Sequence, residues 1–420
     1  MSLGMVDTLM LSRISDASVA ACGLMNQILN MIFLVFIVGA QGALVVCSQY
    51  LGARRVQDFL ETAKVALFIN TLIGVVISAL LFFGADVIVN LMQIQKELAI
   101  DAQNYCKIVG GFAFLSSLTF ATASILRSRE MAKYPMYVSL ITNIVNILAN
   151  YVLIFGHLGF EPLHVEGAAW ATVLSRLIGV ILLLFILFRV GISIKKENKF
   201  IPNPIHKLVQ ILKIGIPGAG EMFSYSLSQV VIVYFINMLG TEAIAARTYI
   251  MNIVFLTFIF AISIAQGSSI ICGRLVGKHK FIAAQNIGEY SINKALLISV
   301  LLSTLLAIFS PYIVENLTQN QAIAKLCLTI FWIDIVVECG RAVNILTGRL
   351  LGAVGDPLFP LKVSIIVVWL VATFGSYIFG IFLGFGLIGM WCVFLCDESL
   401  RAIIQWYYWK KGYWKNKSIC

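Results

Sequence analysis

Charge is scarce in this chain: Asp, Glu, Lys and Arg make up only 12% of its 420 residues, against roughly 25% in a soluble domain. A water-soluble protein of this length would need far more charge to cover its outside, so that class is excluded. Histidine is equally thin. The four present (His157, His164, His206 and His279) fall in or beside loops without ligand spacing. The nine cysteines include no CxxC pair and no Cys/His metal pattern. Most lie in apolar runs, as Cys47, Cys272, Cys392 and Cys396 do, and read as small packing residues. A phosphate-cradling glycine loop, a Ser/His/Asp set and a large soluble segment are all missing. Catalysis and ATP-driven pumping are set aside, and no cofactor is expected.

Apolar residues supply 60% of the chain, and they are gathered into long runs. These include Ser18–Leu51, Val65–Ala85, Ile108–Leu126, Tyr134–Phe160, Met222–Thr241, Thr248–Gly273 and Val363–Cys396. About 20 helical residues cross the hydrocarbon core, and in lipid only helices or closed barrels satisfy the backbone. Barrel strands would show short alternating segments, which these runs are not. The sequence therefore predicts an all-α polytopic membrane protein in the lipid bilayer of the cell membrane.

The net charge of +10 sits mostly in short connections between the runs. Assigning those connections alternately to two sides places Arg54, Arg55, Arg127, Arg129, Lys133, Arg189, Lys195, Lys196, Lys199 and Lys207 on one of them. The same side takes Arg274, Lys278, Lys280, Arg349, Lys410, Lys411, Lys415 and Lys417, while the other holds Arg13, Lys96, Lys107, Arg247 and Lys325. Such a bias marks the rich side as cytoplasmic, with the C-terminus inside. It explains the positive charge without nucleic acid, and no obligate protein partner is expected: the chain reads as a monomer.

A repeat organises the spans. Gln41-Gly-Ala-Leu-Val-Val-Cys-Ser-Gln-Tyr-Leu-Gly52 lies over Gln266-Gly-Ser-Ser-Ile-Ile-Cys-Gly-Arg-Leu-Val-Gly277 at an offset of 225 residues. The same offset pairs Ala20-Ala21 with Ala245-Ala246 and Pro135 with Pro360. Three matches in one register predict two parallel repeats. Helices are expected near 1–13, 18–50, 60–90, 103–127, 134–157 and 167–189, then near 209–239, 243–273, 283–313, 322–353, 359–383 and 386–409. That gives twelve transmembrane helices in two pseudo-symmetric six-helix lobes, 1–190 and 208–410, joined by a linker at 191–207 with Pro202 and Pro204, and followed by a basic tail at 411–420. Helix seven begins before the register of residue 1, and Met1–Arg13 spans only ~20 Å. The first helix is thus expected to be truncated, the sequence starting late.

Ionisable groups within membrane spans are costly and become functional candidates by default. Asp7 in the first helix can bind Na⁺ or a proton; the alternative is a helix-end residue in water, since Arg13 follows closely. Asn143, Asn146 and Asn150 share one helix face by their spacing, and either line a polar cavity or bond to neighbouring helices. Asn26, Gln27, Asn30, Gln41 and Gln49 offer similar chemistry with less specificity. Glu221 follows Pro217, which is expected to break helix seven and free carbonyls near a site, and Tyr225 stands one turn on. Glu338 and Arg341, with Asp334 a turn before, fit an intrahelical pair that is either structural or functional. Asp397, Glu398 and Arg401 read as structural.

Taken in order, several segments resemble the MATE (multidrug and toxic compound extrusion) family over essentially the whole chain. They are Val6-Asp7-Thr8, Ser48-Gln49-Tyr50-Leu51-Gly52-Ala53, Ile125-Leu126-Arg127 leading to Pro135, Asn146, and Asn150 through Gly156. Gly167–Thr172 with Ser175-Arg176, Gly215-Ile-Pro217, Leu239–Ala246 and Leu350–Asp356 complete the set. The resemblance implies a two-lobe secondary antiporter that alternates access and exports amphipathic, often cationic organic compounds in exchange for H⁺ or Na⁺. Asp7 matches the family's first-helix acid, and Asn146 a polar member of the same cavity. Where the DinF-like branch carries a second acid this chain has Asn150. Where the NorM-like branch has acids in helices seven and ten it has Tyr225 and Arg341, with Glu221 and Glu338 one turn earlier. The pattern looks like a bacterial branch distinct from both.

The expected ion-coupling residues are therefore Asp7, Glu221 and Glu338. Asn143, Asn146, Asn150, Gln41, Tyr225 and Arg341 are expected to line the substrate cavity. Competing readings are a lipid-linked precursor flippase of the same superfamily, a non-transporting membrane protein such as a receptor, and an inactive truncated chain.

Overall fold

A computed structural model describes residues 7, 10–92, 94–157, 159–191 and 203–419. Among them are twelve α-helices and no strand. They are α1 (Asp16–Gly52), α2 (Val56–Leu91), α3 (Lys96–Tyr105), α4 (Ala113–Ser128), α5 (Lys133–Phe155) and α6 (His164–Arg189). The rest are α7 (Pro204–Asn237), α8 (Thr241–Gly277), α9 (Phe281–Leu317), α10 (Gln321–Val354), α11 (Leu358–Val367) and α12 (Gly386–Lys411). The expected first helix falls largely on 1–6 and 8–9, outside the described residues, and the expected linker largely on 192–202, also outside them.

Eight of these helices, α11 counted with its extension to Phe382, are long and apolar enough to cross a membrane. A ninth span results from Leu98–Gly110 and Ala113–Ser128, which meet at a 42° bend. A π-helical turn, Cys106–Gly110, marks that bend, the usual cause of a sharp kink where proline is absent. Helices α10 and α12 hold the ionisable residues Asp334, Glu338, Arg341, Asp397, Glu398 and Arg401, which is why composition alone marks them less clearly. Large apolar side chains such as Phe68, Phe83, Leu91, Leu370 and Phe382 point outward; in a membrane these faces meet lipid rather than water.

The chain divides into two compact units, Met1–Cys47 with Val56–Gly215, and Ser48–Arg55 with Ile216–Cys420. In the first, buried Met25, Leu29, Phe36, Tyr105 and Ile154 form the main core. Lys207, counted above among loop cations, lies in the first turns of α7, almost fully buried, and pairs with Asp58. Pro204 begins that helix, a position that tolerates proline because its missing N–H would be unpaired there anyway. Contrary to expectation, α7 also continues through Pro217 without a break.

The second unit exhibits the repeat at atomic scale. Gly52 and Gly277 are the last residues of α1 and α8, and a Cβ on either would meet backbone. Gly52 faces the Arg274 carbonyl at 2.1 Å, and Gly277 faces the Gln49 carbonyl at 2.0 Å. Since 274 is 49 plus 225, the two contacts are images of each other. Pro135 and Pro360 likewise each stand third in their helices. Gln49 is fully buried here; its amide donates to the Ala353 carbonyl (2.8 Å) and its oxygen accepts from the Ile419 N–H (2.9 Å), so it ties α1 to α10 and the tail. Trp414 in the tail is buried and stacks on Trp409 at 4.6 Å. Gly277→Ala is expected to cost about 1–3 kcal/mol through forced separation of these helix ends, seen as a lower midpoint in thermal unfolding of detergent-purified protein.

Candidate functional site

In the first unit the sequence-derived candidates converge on Asp7. Its side chain is 1% exposed, with one carboxylate oxygen accepting from Asn150 Nδ2 (2.7 Å) and the other from Thr172 Oγ1 (2.9 Å). Asn150 Nδ2 also donates to Asn146 Oδ1 (3.3 Å), and Asn146 Nδ2 to Thr172 Oγ1 (3.5 Å). Asn146 and Asn150 are four apart on α5, so one turn stacks them on the buried stripe; Thr172 comes from α6. The Oδ1 of Asn150 is buried with no hydrogen-bond partner among the described residues. One turn beyond Thr172, Arg176 lies over the Phe33 ring at 5.4 Å, and its NH1 too is buried without a hydrogen-bond partner among the described residues. Asp7 is therefore no water-exposed helix end but the centre of a polar cluster.

The other first-unit candidates lie less centrally. Asn143 is half-buried and donates to the Ser139 carbonyl of its own helix at 2.7 Å, while Gln41 is half-buried on α1. Sequence reading singled out neither Thr172 nor Arg176 for this cluster. A threonine in an apolar helix gives no signal of its own, and only its place across from Asp7 reveals it.

The second unit holds a larger ionic network between α10 and α12. Glu338 pairs with Arg341. Arg341 Nε reaches Glu398 at 3.4 Å, and Arg401 bonds both Asp397 (2.5 Å) and Glu398 (3.1 Å). Asn344 donates to Glu398 at 2.8 Å and accepts from Gln405 at 3.0 Å; the Trp391 indole donates to Asp334 at 3.0 Å. The intrahelical pair expected from the Glu338/Arg341 spacing forms and extends across to α12. Four buried carboxylates meet two guanidiniums here. A low-dielectric interior tolerates such an excess only with extra cations or protons.

Glu221 stands apart from that network, accepting from Ser364 at 2.8 Å. With Trp369 donating to Ser224 (3.1 Å) and Ser228 bonding Thr373 (2.7 Å), it forms a polar seam between α7 and the α11 stretch. The α11 stretch runs through π-helical turns at Val368–Thr373 and Ser376–Phe382. Tyr225 receives Arg401 over its ring at 5.9 Å. Next to it opens a small cleft of about 10 Å³, room for about one water, lined by Tyr225, Gln229, Arg247, Trp391, Phe394, Asp397 and others. Arg247, assigned above to a loop on the outer side, belongs inside α8 and lines this cavity: the helix starts at Thr241, six residues earlier than its nearest cation.

Polytopic helices around buried, hydrogen-bonded carboxylates are the makings of a membrane transporter. The MatE family model matches residues 1–152 and 217–378. The chain belongs to the MATE family, whose members are transporters and not enzymes. It is 38% identical to the uncharacterized transporter YisQ of Bacillus subtilis over all of this chain and 92% of that relative. It is 25% identical to the probable multidrug resistance protein NorM of Thermotoga maritima, over all of this chain and 90% of that one. Among solved structures, a crystal structure of MATE in the bent conformation aligns with a TM-score of 0.91 at 20% identity, over 97% of this chain and 90% of that one. A transporter of the MOP superfamily from Pyrococcus furiosus, described for the reverse polarity of its binding pocket, aligns at 0.88 and 20% identity over 99% and 94%. At such identity these two likenesses carry the fold alone.

Proposed function

We propose that this chain is a secondary antiporter of the cell membrane that exports amphipathic, cationic organic compounds in exchange for H⁺ or Na⁺, acting as a monomer with its C-terminus in the cytoplasm. The observation that carries the reading is Asp7: an acid buried in a membrane unit, held by Asn150 and Thr172, beside an amide oxygen that has no partner among the described residues. A carboxylate with neutral oxygen donors around it suits a proton or a small hard cation. Relatives named for multidrug resistance support an organic cargo. Tyr225 and Arg341, standing where NorM-like proteins have acids, support placing the chain on a separate bacterial branch.

In this reading, ion occupancy of Asp7 neutralises the carboxylate and weakens what it asks of Asn150 and Thr172. A ligand moves a two-state equilibrium only by its differential affinity for the two states, so the Asp7 contacts must differ between inward and outward facing. Glu221 and Glu338 are the corresponding candidates in the second unit, and residues 1–190 and 208–410 the two moving lobes.

Export of a fluorescent cationic dye by inverted vesicles, under an imposed pH gradient and then a Na⁺ gradient, tests the proposal. Dye movement driven by one gradient is expected and names the ion. Absence of movement under both, with the protein inserted and folded, would overturn the reading and favour a lipid-linked cargo.

A further inference from the structure

Among the described residues, the polar cluster around Asp7 contains one further fixed charge, Arg176 on α6. It follows Thr172, which bonds Asp7 at 2.9 Å, by four residues, so one helical turn sets both on the same face. The charges of Asp7 and Arg176 act on each other, yet no ion pair joins them. The guanidinium lies instead over the Phe33 ring of α1 at 5.4 Å, and its NH1 is buried with no hydrogen-bond partner among the described residues. Both Asp7 oxygens, for their part, are held by the neutral donors Asn150 and Thr172. The other titratable groups near the acid are Cys22 of α1 and Tyr105 of α3. The Tyr105 hydroxyl donates to Asn26 at 3.1 Å, and neither group carries a charge at neutral pH.

A guanidinium does not give up its proton in a protein, so the charge of Arg176 is permanent, and leaving it unpaired in a membrane span is expensive. Its long side chain has two resting places within reach of one backbone position. One is the Phe33 face, as here; the other is the Asp7 carboxylate, which its planar donor fork matches. A cation bound at Asp7 repels Arg176 and leaves it the ring. Without that cation, carboxylate and guanidinium attract each other through an interior of low dielectric, where the attraction is far stronger than in water. The acid therefore has two rival cations, one from solution and one tethered to α6.

We infer that Arg176 is a tethered counter-ion for Asp7, pairing with the carboxylate in the ion-free half of the cycle and yielding it when the coupling ion binds. The inference rests on the export reading above and adds a positioning residue to it. The rivalry lowers the affinity of Asp7 for the ion, and the pairing spares an unneutralised carboxylate from passing through the change of facing.

Ion titration of dye export by inverted vesicles, with half-saturating ion concentration and maximal rate read separately, tests the inference. Arg176→Gln removes the rival, so the half-saturating concentration is expected to fall by at least about fivefold, the lower end of ordinary coupling between two sites, while maximal export drops. Arg176→Lys keeps the charge without the planar fork and is expected between the two. Phe33→Leu takes away the ring that holds Arg176 off the acid, and the half-saturating concentration is expected to rise about two- to fivefold; this variant decides alone if Arg176→Gln does not fold. A residue that only packs helices together would not tighten ion binding when removed, nor give opposite signs in the two variants. Ion affinity that is unchanged or weaker in Arg176→Gln, or unchanged in Phe33→Leu, would overturn this inference while gradient-driven export by the parent keeps the export reading intact. Loss of dye affinity at unchanged ion affinity would also overturn it, assigning Arg176 to the cargo. No export by the inserted, folded parent under either gradient would overturn both.

Discussion

Asp7→Asn protein is expected to insert, fold and still bind dye, yet to lose gradient-driven export. The substitution keeps the shape and one accepting oxygen, its amide donating to the Thr172 hydroxyl while its oxygen accepts from Asn150, but removes the charge that takes up the cation. What disappears is the coupling, and coupling free energies of typical size make that a drop of about 5- to 150-fold in concentrative transport. Dye equilibration down its own gradient should persist. Thr172→Val probes the same site more gently. It keeps the Asp7 charge and removes one hydrogen bond to it, worth about 1.5–3 kcal/mol. The apparent affinity for the coupling ion should therefore shift by about tenfold or more, with maximal export little changed. Ion titration of transport in both variants separates these outcomes; an Asp7→Asn protein that still concentrates dye would remove Asp7 from the mechanism.

The second large effect concerns stability. Glu398 takes bonds from Arg341, Arg401 and Asn344 at once, so Glu398→Leu takes the shared centre from the network, leaving Arg341 to Glu338 alone and Arg401 to Asp397 alone. Breaking a buried ionic network from one side costs about 3–5 kcal/mol. Thermal unfolding in detergent should show that loss. Adding Arg401→Leu should cost less than its own single effect, because the Glu398–Arg401 bond counted in that effect is already gone in the first variant. A purely additive double variant would mean that Glu398 and Arg401 do not depend on each other.

The sequence made the spans and repeat readable because lipid imposes a simple demand: long apolar helices whose backbone bonds are all internal. The 225-residue register carries through to the facing of Gly52 and Gly277 on each other's helix ends. Asp7, Asn146 and Asn150 were legible as well, since polar groups stand out in an apolar run and four-residue spacing fixes a shared face. What the sequence hid is contact between helices. Periodicity places Glu338 beside Arg341 but does not say that Glu398, some 60 residues on, completes the pair. Thr172 looks ordinary until Asp7 is placed across from it. Arg247 read as a loop cation because it lies near a helix start, and Pro217 read as a breaker because a proline's missing hydrogen bond does not show whether its neighbours keep the helix together. Gln49 had the look of a cavity residue, yet both ends of its amide bond backbone groups.

The claim at the centre is exchange: cargo moves one way because a cation held at Asp7 moves the other. Its most direct test is to watch the ion while adding the cargo. Inverted vesicles containing the protein are loaded with the coupling ion as an established gradient, dye is then added, and the collapse of the gradient is followed with an ion-sensitive fluorophore. The account predicts that dye speeds the collapse in proportion to the amount of protein, saturably, and that Asp7→Asn vesicles show only the passive leak. A gradient that ignores the dye in the parent protein, or that responds to it equally in Asp7→Asn, would contradict the account.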